Sequence, residues 1–235
     1  MSARSIFARW LFFADAVFVG SIQAVTISPV RVELSASRRV VSVTVSNPSS
    51  QAISFQAETL IWRQQGGTDR YEPTDDLLVA PPIAEIPPQS SQIFRVTLRR
   101  PLSGIDEQAY RLVLEDVSET LTPQPGAIAI RFNHNLPVFA LSAGEAKALP
   151  RWSRCAAAAG KGCVQLDNNG SRHIRLLGVT VAGPNWQQTI QGGTVLAGAW
   201  KQWNFDLPAG HSPPASITAK TDQGTLSAEL TSPEL

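Results

Sequence analysis

The side chains in this sequence that could do chemistry are few and scattered. They are His134, His173 and His211, the cysteines Cys155 and Cys163, the acidic pairs Asp75-Asp76 and Glu115-Asp116, and the tryptophans Trp186, Trp200 and Trp203. The histidines lie far apart, and none sits in a zinc-ligand or nucleophile motif. No GxSxG elbow and no phosphate loop is present. A Ser-His-Asp triad is defined by geometry rather than spacing, so a secreted carbohydrate-active enzyme stays as a distant alternative. The acidic pairs fit a solvated loop and a strand end better than metal or acid–base work. The tryptophans fit packing within and between domains better than a sugar platform. The expectation is a chain that is not an enzyme, with no catalytic residue, no metal site, no cofactor and no small-molecule substrate.

The cysteines instead speak to compartment. Cys155 and Cys163 bracket an Ala/Gly-rich loop, Ala156 to Gly162, and match no CxxC pattern. They are either two unpaired thiols or a disulfide, which needs an oxidising compartment. The start of the chain favours export. Arg4 and Arg9 precede an apolar stretch through Val19, and small and polar residues follow to Ala24. This is the layout of a signal peptide over residues 1–24, cleaved near Ala24-Val25. Asp15 inside the apolar stretch counts against a membrane anchor, which needs about 20 clean apolar residues.

What positions these residues is read from the period of the apolar pattern. Hydrophobic residues make up 43% of the 235, enough for packed cores, and the net charge of +1 gives no reason to expect nucleic acid. Val30, Val32 and Leu34, then Val41, Val43 and Val45, then Ile53, Phe55 and Ala57 alternate with polar residues. A period of two means strands with one buried face. Gln64-Gln65-Gly66-Gly67-Thr68-Asp69 reads as a hairpin loop. Pro81-Pro82 marks a sheet edge or a passage between sheets, because proline cannot donate to a ladder. With Ile93–Leu98, Tyr110–Val117 and Ile128–Phe139, these runs predict an immunoglobulin-like sandwich over residues 25–145. The pattern breaks into small and polar residues at Ala143 to Lys147, as at a hinge. Further runs at Cys163–Leu166, Ile174–Val181, Thr194–Leu196, Trp203–Phe205, Ser216–Thr218 and Thr225–Leu230 predict a second sandwich over 146–235. The fold class is therefore all-β, two immunoglobulin-like β-sandwich domains in tandem.

Several segments together resemble a known family. They are Ile27-Ser28-Pro29-Val30-Arg31-Val32, Val45-Ser46-Asn47-Pro48, Pro81-Pro82-Ile83 with Ile86 to Gln92, Tyr110 to Glu115, Leu136-Pro137-Val138-Phe139, and Leu166 to Gly170. Their order and spacing are similar to PapD-like periplasmic pilus-assembly chaperones, nearest the archaic branch serving spore-coat-protein-U-like pili. The resemblance implies a boomerang of two sandwiches in the periplasm, with pilus subunits and an outer-membrane usher as partners. It also implies a mechanism. Pilus subunits lack one strand, and the chaperone lends its last amino-domain strand to fill the gap. Backbone pairing satisfies the subunit's edge, and alternate side chains fill its groove. The lending residues would be Ile128, Ile130 and Phe132.

In the family, a basic residue on the first strand binds the subunit's terminal carboxylate in the cleft, a role that falls to Arg31 here. A guanidinium suits it because its donors match a carboxylate's two oxygens. The family's second anchor, a lysine just before the apolar pair Val138-Phe139, is replaced by Pro137. Arg111 on the neighbouring strand is the expected substitute. The classical hinge arginine is missing as well, since Ala140-Leu141-Ser142 occupies its neighbourhood. The alternative is an extracellular structural or adhesive tandem sandwich, in which both arginines are ordinary strand residues.

Overall fold

The computed structural model describes residues 24–102, 104–118, 131–141, 145–208 and 210–230. These residues form β-strands and turns and contain no helix. The first ten strands are β1 (Thr26–Ser28), β2 (Val32–Leu34), β3 (Val40–Asn47), β4 (Ile53–Gln65), β5 (Thr68–Pro73), β6 (Leu77–Ala80), β7 (Ile83–Ile86), β8 (Ser90–Leu98), β9 (Gln108–Asp116) and β10 (Asn133–Ala140). One sheet has the order β1-β3-β8-β6. The other runs β2-β10-β9-β4-β5, with β7 also paired to β4. Val41, Val43 and Val45 face inward with Phe94 and Val96, and meet Phe55, Leu112, Leu114, Leu136 and Val138 from the opposite sheet. Each such side chain contributes roughly 1.5–3 kcal/mol by leaving water. The alternation read from the sequence is this packing.

Two local features follow directly from residue chemistry. The β4–β5 hairpin turns on Gly66 and Gly67, with φ of 58° and 74°, which is the left-handed pair that a two-residue hairpin turn requires. Pro81-Pro82 carries the chain from β6 in one sheet to β7 in the other, where missing donors cost nothing. Val30 departs from expectation. It is 69% exposed, whereas Val32 and Leu34 are fully buried. The chain leaves the first sheet after Ser28 and joins the second at Val32. Val30 lies on that crossing and does not share the strand's buried face.

The remaining strands are β11 (Pro150–Arg154), β12 (Lys161–Asn168), β13 (Ile174–Gly183), β14 (Trp186–Ile190), β15 (Gly193–Val195), β16 (Trp200–Asp206), β17 (Ser216–Thr221) and β18 (Gly224–Glu229). Sheet β11-β12-β16 packs on sheet β14-β13-β17-β18, to which β15 adds by pairing with β13. Trp152, Val164, Leu166, Val179, Val181, Val195 and Ile217 make the core between them. The sequence reading missed β11 and β14, because neither alternates clearly. Trp186 and Trp203 pack against this core, as the packing reading of the tryptophans expected.

The turn at Asn168-Asn169-Gly170 is built around a buried amide. Asn168 Oδ1 accepts from the Leu149 and Gly170 N–H groups, while Nδ2 donates to the carbonyls of Arg172 and Leu196. Gly170 is required there, since a Cβ would stand 2.1 Å from the Lys147 carbonyl oxygen.

Cys155 and Cys163 are joined in a disulfide, with Cα atoms 5.1 Å apart. Closing this short loop restricts the unfolded chain. In the loop-entropy account, replacing both cysteines by alanine lowers stability by roughly 2–3 kcal/mol. Urea unfolding of the double variant under oxidising conditions checks this, with the loss expected in the transition that reports Trp152 and Trp203.

Candidate functional site: the cleft between the sandwiches

The outer face of the β2-β10-β9-β4-β5 sheet looks toward the second sandwich. Register places the two predicted arginines on it. Arg111 pairs with Pro137, and Val32, the residue after Arg31, pairs with Val138. Arg111 therefore sits directly beside Pro137, and Arg31 lies just before the first β2–β10 pair, on the other side of β10. This is how an arginine on β9 reaches the neighbourhood of a position where proline carries no charge.

The two side chains differ in their surroundings. Arg31 is held by carboxylates: Nη1 lies 2.5 Å from Asp222 Oδ2, and Nη2 lies 3.2 Å from Glu33 Oε1. Arg111 makes no ion pair among the described residues. Its guanidinium lies 3.9 Å above the Trp62 ring and 5.6 Å from the centre of the Tyr71 ring. Its Nε is buried without a hydrogen-bond partner. Neither Glu33 nor Glu115, the partners a purely structural Arg111 would need, pairs with it. Burial raises the Tyr71 phenol above its ordinary range, with Arg111 pulling the other way. Arg111 is thus a cation oriented by stacking rather than by charge.

A third apolar cluster joins the sandwiches: Trp62, Ala109 and Phe139 from the first, Leu196 and Ala199 from the second. Polar contacts surround it. Gln64 donates to the Thr194 carbonyl and accepts from the Leu196 N–H. Asp69 accepts from Gln64 and from the Trp62 indole, and faces Lys201 at 3.4 Å. Burial tends to raise the Asp69 carboxyl, but the Gln64 and Trp62 hydrogen bonds and the Lys201 charge outweigh it and hold it below the usual range. Its contribution to stability is present at neutral pH and is lost as pH falls through that lowered value. Trp200 packs so closely on Gly67 that a Cβ there would meet the indole at 2.6 Å.

The buried centre of the joint is Glu107. Its side chain is 1% exposed and accepts from both the backbone N–H of His173, at 3.1 Å, and Nδ1 of the same residue, at 2.5 Å. The His173 ring stacks on Phe139 with centroids 3.6 Å apart and planes within 6°. Arg172 Nε stands 3.8 Å from the second Glu107 oxygen. This set links the two sandwiches through a buried polar contact. Sequence reading did not find it. Glu107 and His173 are 66 residues apart, and neither lies in a motif. His134 lies against Phe55, with ring centres 5.8 Å apart. Among the described residues, no group of three potential ligands could hold a metal ion.

The predicted lending strand is described only in part, since Ile128 and Ile130 lie outside the described residues. Phe132 is described and 64% exposed. It shares the parity of His134, Leu136 and Val138, of which Leu136 and Val138 enter the core. Strand β2 pairs with β10 only at Val138–Ala140, whereas β9 pairs with it from Asn133 onward. Among the described residues, the edge of Asn133 to Pro137 away from β9 has no partner. An unpaired edge beside an exposed aromatic is a template for another strand.

Residues 24–143 match the family model for the pili and flagellar-assembly chaperone, PapD N-terminal domain. No match was found among curated proteins. Among solved structures, the chain is similar to the CsuC–CsuE chaperone–tip adhesion subunit pre-assembly complex from the archaic chaperone-usher Csu pili of Acinetobacter baumannii. That match has a TM-score of 0.71 at 20% identity and covers 90% of this chain and 100% of the other. It is also similar to Salmonella enterica SafA pilin in complex with the SafB chaperone, with a TM-score of 0.64 at 18% identity, covering 90% and 98%. The E. coli chaperone DraB gives 0.60 at 16% identity, covering 88% and 97%. These likenesses establish the shared fold of two tandem immunoglobulin-like sandwiches. With the family match extending over half the chain and reaching from the first strand through β10, this protein belongs to the PapD-like pilus-assembly chaperones.

Proposed function

We propose that this protein is a periplasmic chaperone that captures pilus subunits by lending them the edge of β10, and that it hands them to an outer-membrane usher. The observation that carries this reading is the pairing of an open β10 edge with a cleft cation, Arg111, that has no counter-charge among the described residues. A subunit strand added to that edge would satisfy its backbone on Asn133 to Pro137 and lodge its terminal carboxylate at Arg111 and Arg31. Ile128, Ile130 and Phe132 would supply the groove-filling side chains. Export through cleavage near Ala24-Val25 and service to an archaic-type pilus complete the reading. The latter is supported by the TM-score of 0.71 to the Csu chaperone chain. An adhesive or structural role gives no reason for a stacked cleft arginine that has no carboxylate partner among the described residues.

Phe132→Asp tests the lending strand. A charge placed in an apolar groove is costly, while at 64% exposure the side chain matters little to the free protein. Co-expressed with a subunit from the same gene cluster, the variant should recover at least about tenfold less subunit, since one apolar side chain fully buried contributes roughly 1.5–3 kcal/mol. Its own melting should move by no more than about 0.5 kcal/mol. Undiminished capture would refute the lending role of this face.

A further inference from the structure

Arg31 already holds an anion. Its Nη1 is 2.5 Å from Asp222 Oδ2, and its Nη2 is 3.2 Å from Glu33 Oε1. Glu33 cannot leave, because it stands two residues further along and its backbone is fixed opposite Phe139. It is also shared with Arg172, at 4.0 Å. Asp222 is different. It comes from the second sandwich, at the tip of the β17–β18 hairpin. That turn closes on itself, with Thr221 Oγ1 donating to the Gly224 carbonyl and accepting from the Gln223 N–H. The Asp222 carboxylate makes no contact within its own hairpin among the described residues, and at 25% side-chain exposure it has water at hand. Among the described residues, its ion-pair partner is a cation on the other side of the cleft.

We infer that Asp222 is an internal carboxylate that occupies Arg31 while the cleft is empty and is exchanged for the carboxylate of an incoming chain end. The inference rests on the reading of Arg31 as a subunit anchor. Two carboxylates on the same guanidinium nitrogen repel each other, so the incoming one binds Arg31 only as Asp222 leaves. Glu33 stays and keeps the side chain aimed into the cleft. The exchange has two consequences. It weakens capture at Arg31 relative to Arg111, where nothing has to be displaced. It also releases one link between the sandwiches. The contacts at Gln64, Asp69 and Glu107 run along β4, β5 and the start of β9 and do not involve Asp222, so they remain. Carboxylate binding and hairpin docking are therefore coupled with negative sign, and by linkage each weakens the other equally.

The test uses the mature full-length protein and a minimal chain end, N-acetylphenylalanine, with its amide-capped form as control. Binding is followed by NMR at the arginine Nε–H signals and the aspartate carboxyl carbons. The expected result is that the free acid shifts Arg31 and Arg111, that the Asp222 carboxyl signal moves to its solvated position in step with them, and that the amide does neither. Asp222→Asn should bind the acid about tenfold more tightly, a typical coupling. Equal or weaker binding by Asp222→Asn, with Arg111→Ala still impaired, overturns the exchange and leaves the anchor reading intact. If Arg31→Ala and Arg111→Ala both bind the acid as well as the native protein, the anchor reading itself fails. Should Asp222→Asn not fold, the native titration decides, since an Asp222 carboxyl signal that stays put at saturation overturns the exchange.

Discussion

Replacing Arg111 by alanine is expected to weaken subunit binding by roughly 1.5–3 kcal/mol, as for loss of a hydrogen bond to a charged group, with the value toward the upper end of that range. The guanidinium has no ion pair to give up among the described residues, so everything it contributes to an incoming carboxylate is gained on binding. Arg31→Ala should cost less, toward the lower end, because Asp222 and Glu33 already compete for that side chain. The double variant should fall short of the sum, since the two cations share one anion. Arg111→Lys should recover only part of the loss, keeping the charge but not the planar fork or the stacking on Trp62. Subunit affinity and chaperone melting, measured on all four variants, separate this from a structural role. An Arg111→Ala protein that melts lower but binds its subunit normally would show that Arg111 only braces Trp62.

Glu107→Ala is expected to destabilise the joint between the sandwiches by about 3 kcal/mol, a sum of unsatisfied buried groups at about 1–3 kcal/mol each. The backbone N–H and Nδ1 of His173 both lose their acceptor, and Arg172 is left with Glu33 alone, at 4.0 Å. The stacking of His173 on Phe139 then has nothing to hold the ring in plane. Each sandwich has its own apolar core, so the expected signature is loss of coupling rather than loss of fold. Unfolding should split into two transitions where the native protein is expected to show one, and small-angle scattering should report a wider spread of shapes. Glu107→Gln keeps an acceptor for the backbone N–H and should lose roughly half as much. A single unshifted transition in Glu107→Ala would mean that the apolar cluster around Trp62 and Leu196 fixes the joint by itself.

The sequence by itself determined the all-β class and most of the strands, because burial on one sheet face imposes a period of two. Val41-Val43-Val45 announces that period without reference to anything distant. It also determined the Gly66-Gly67 hairpin and narrowed Pro81-Pro82 to a sheet edge or a crossing, where single residue types answer to backbone constraints. The disulfide was legible as one of two options, since Cys155 and Cys163 are near neighbours in the chain. Only the tertiary structure decided what depends on partners far apart in sequence. Val30 and Val32 look equivalent as residues, yet the chain changes sheets between them and exposes the first. Arg31 and Arg111 look like equal anchors, yet one is paired to a carboxylate 191 positions away and the other rests on an indole. The joint built on Glu107 and His173 left no trace in the sequence. A buried polar pair is specified by what surrounds it in space, and neither residue carries a local pattern that says so.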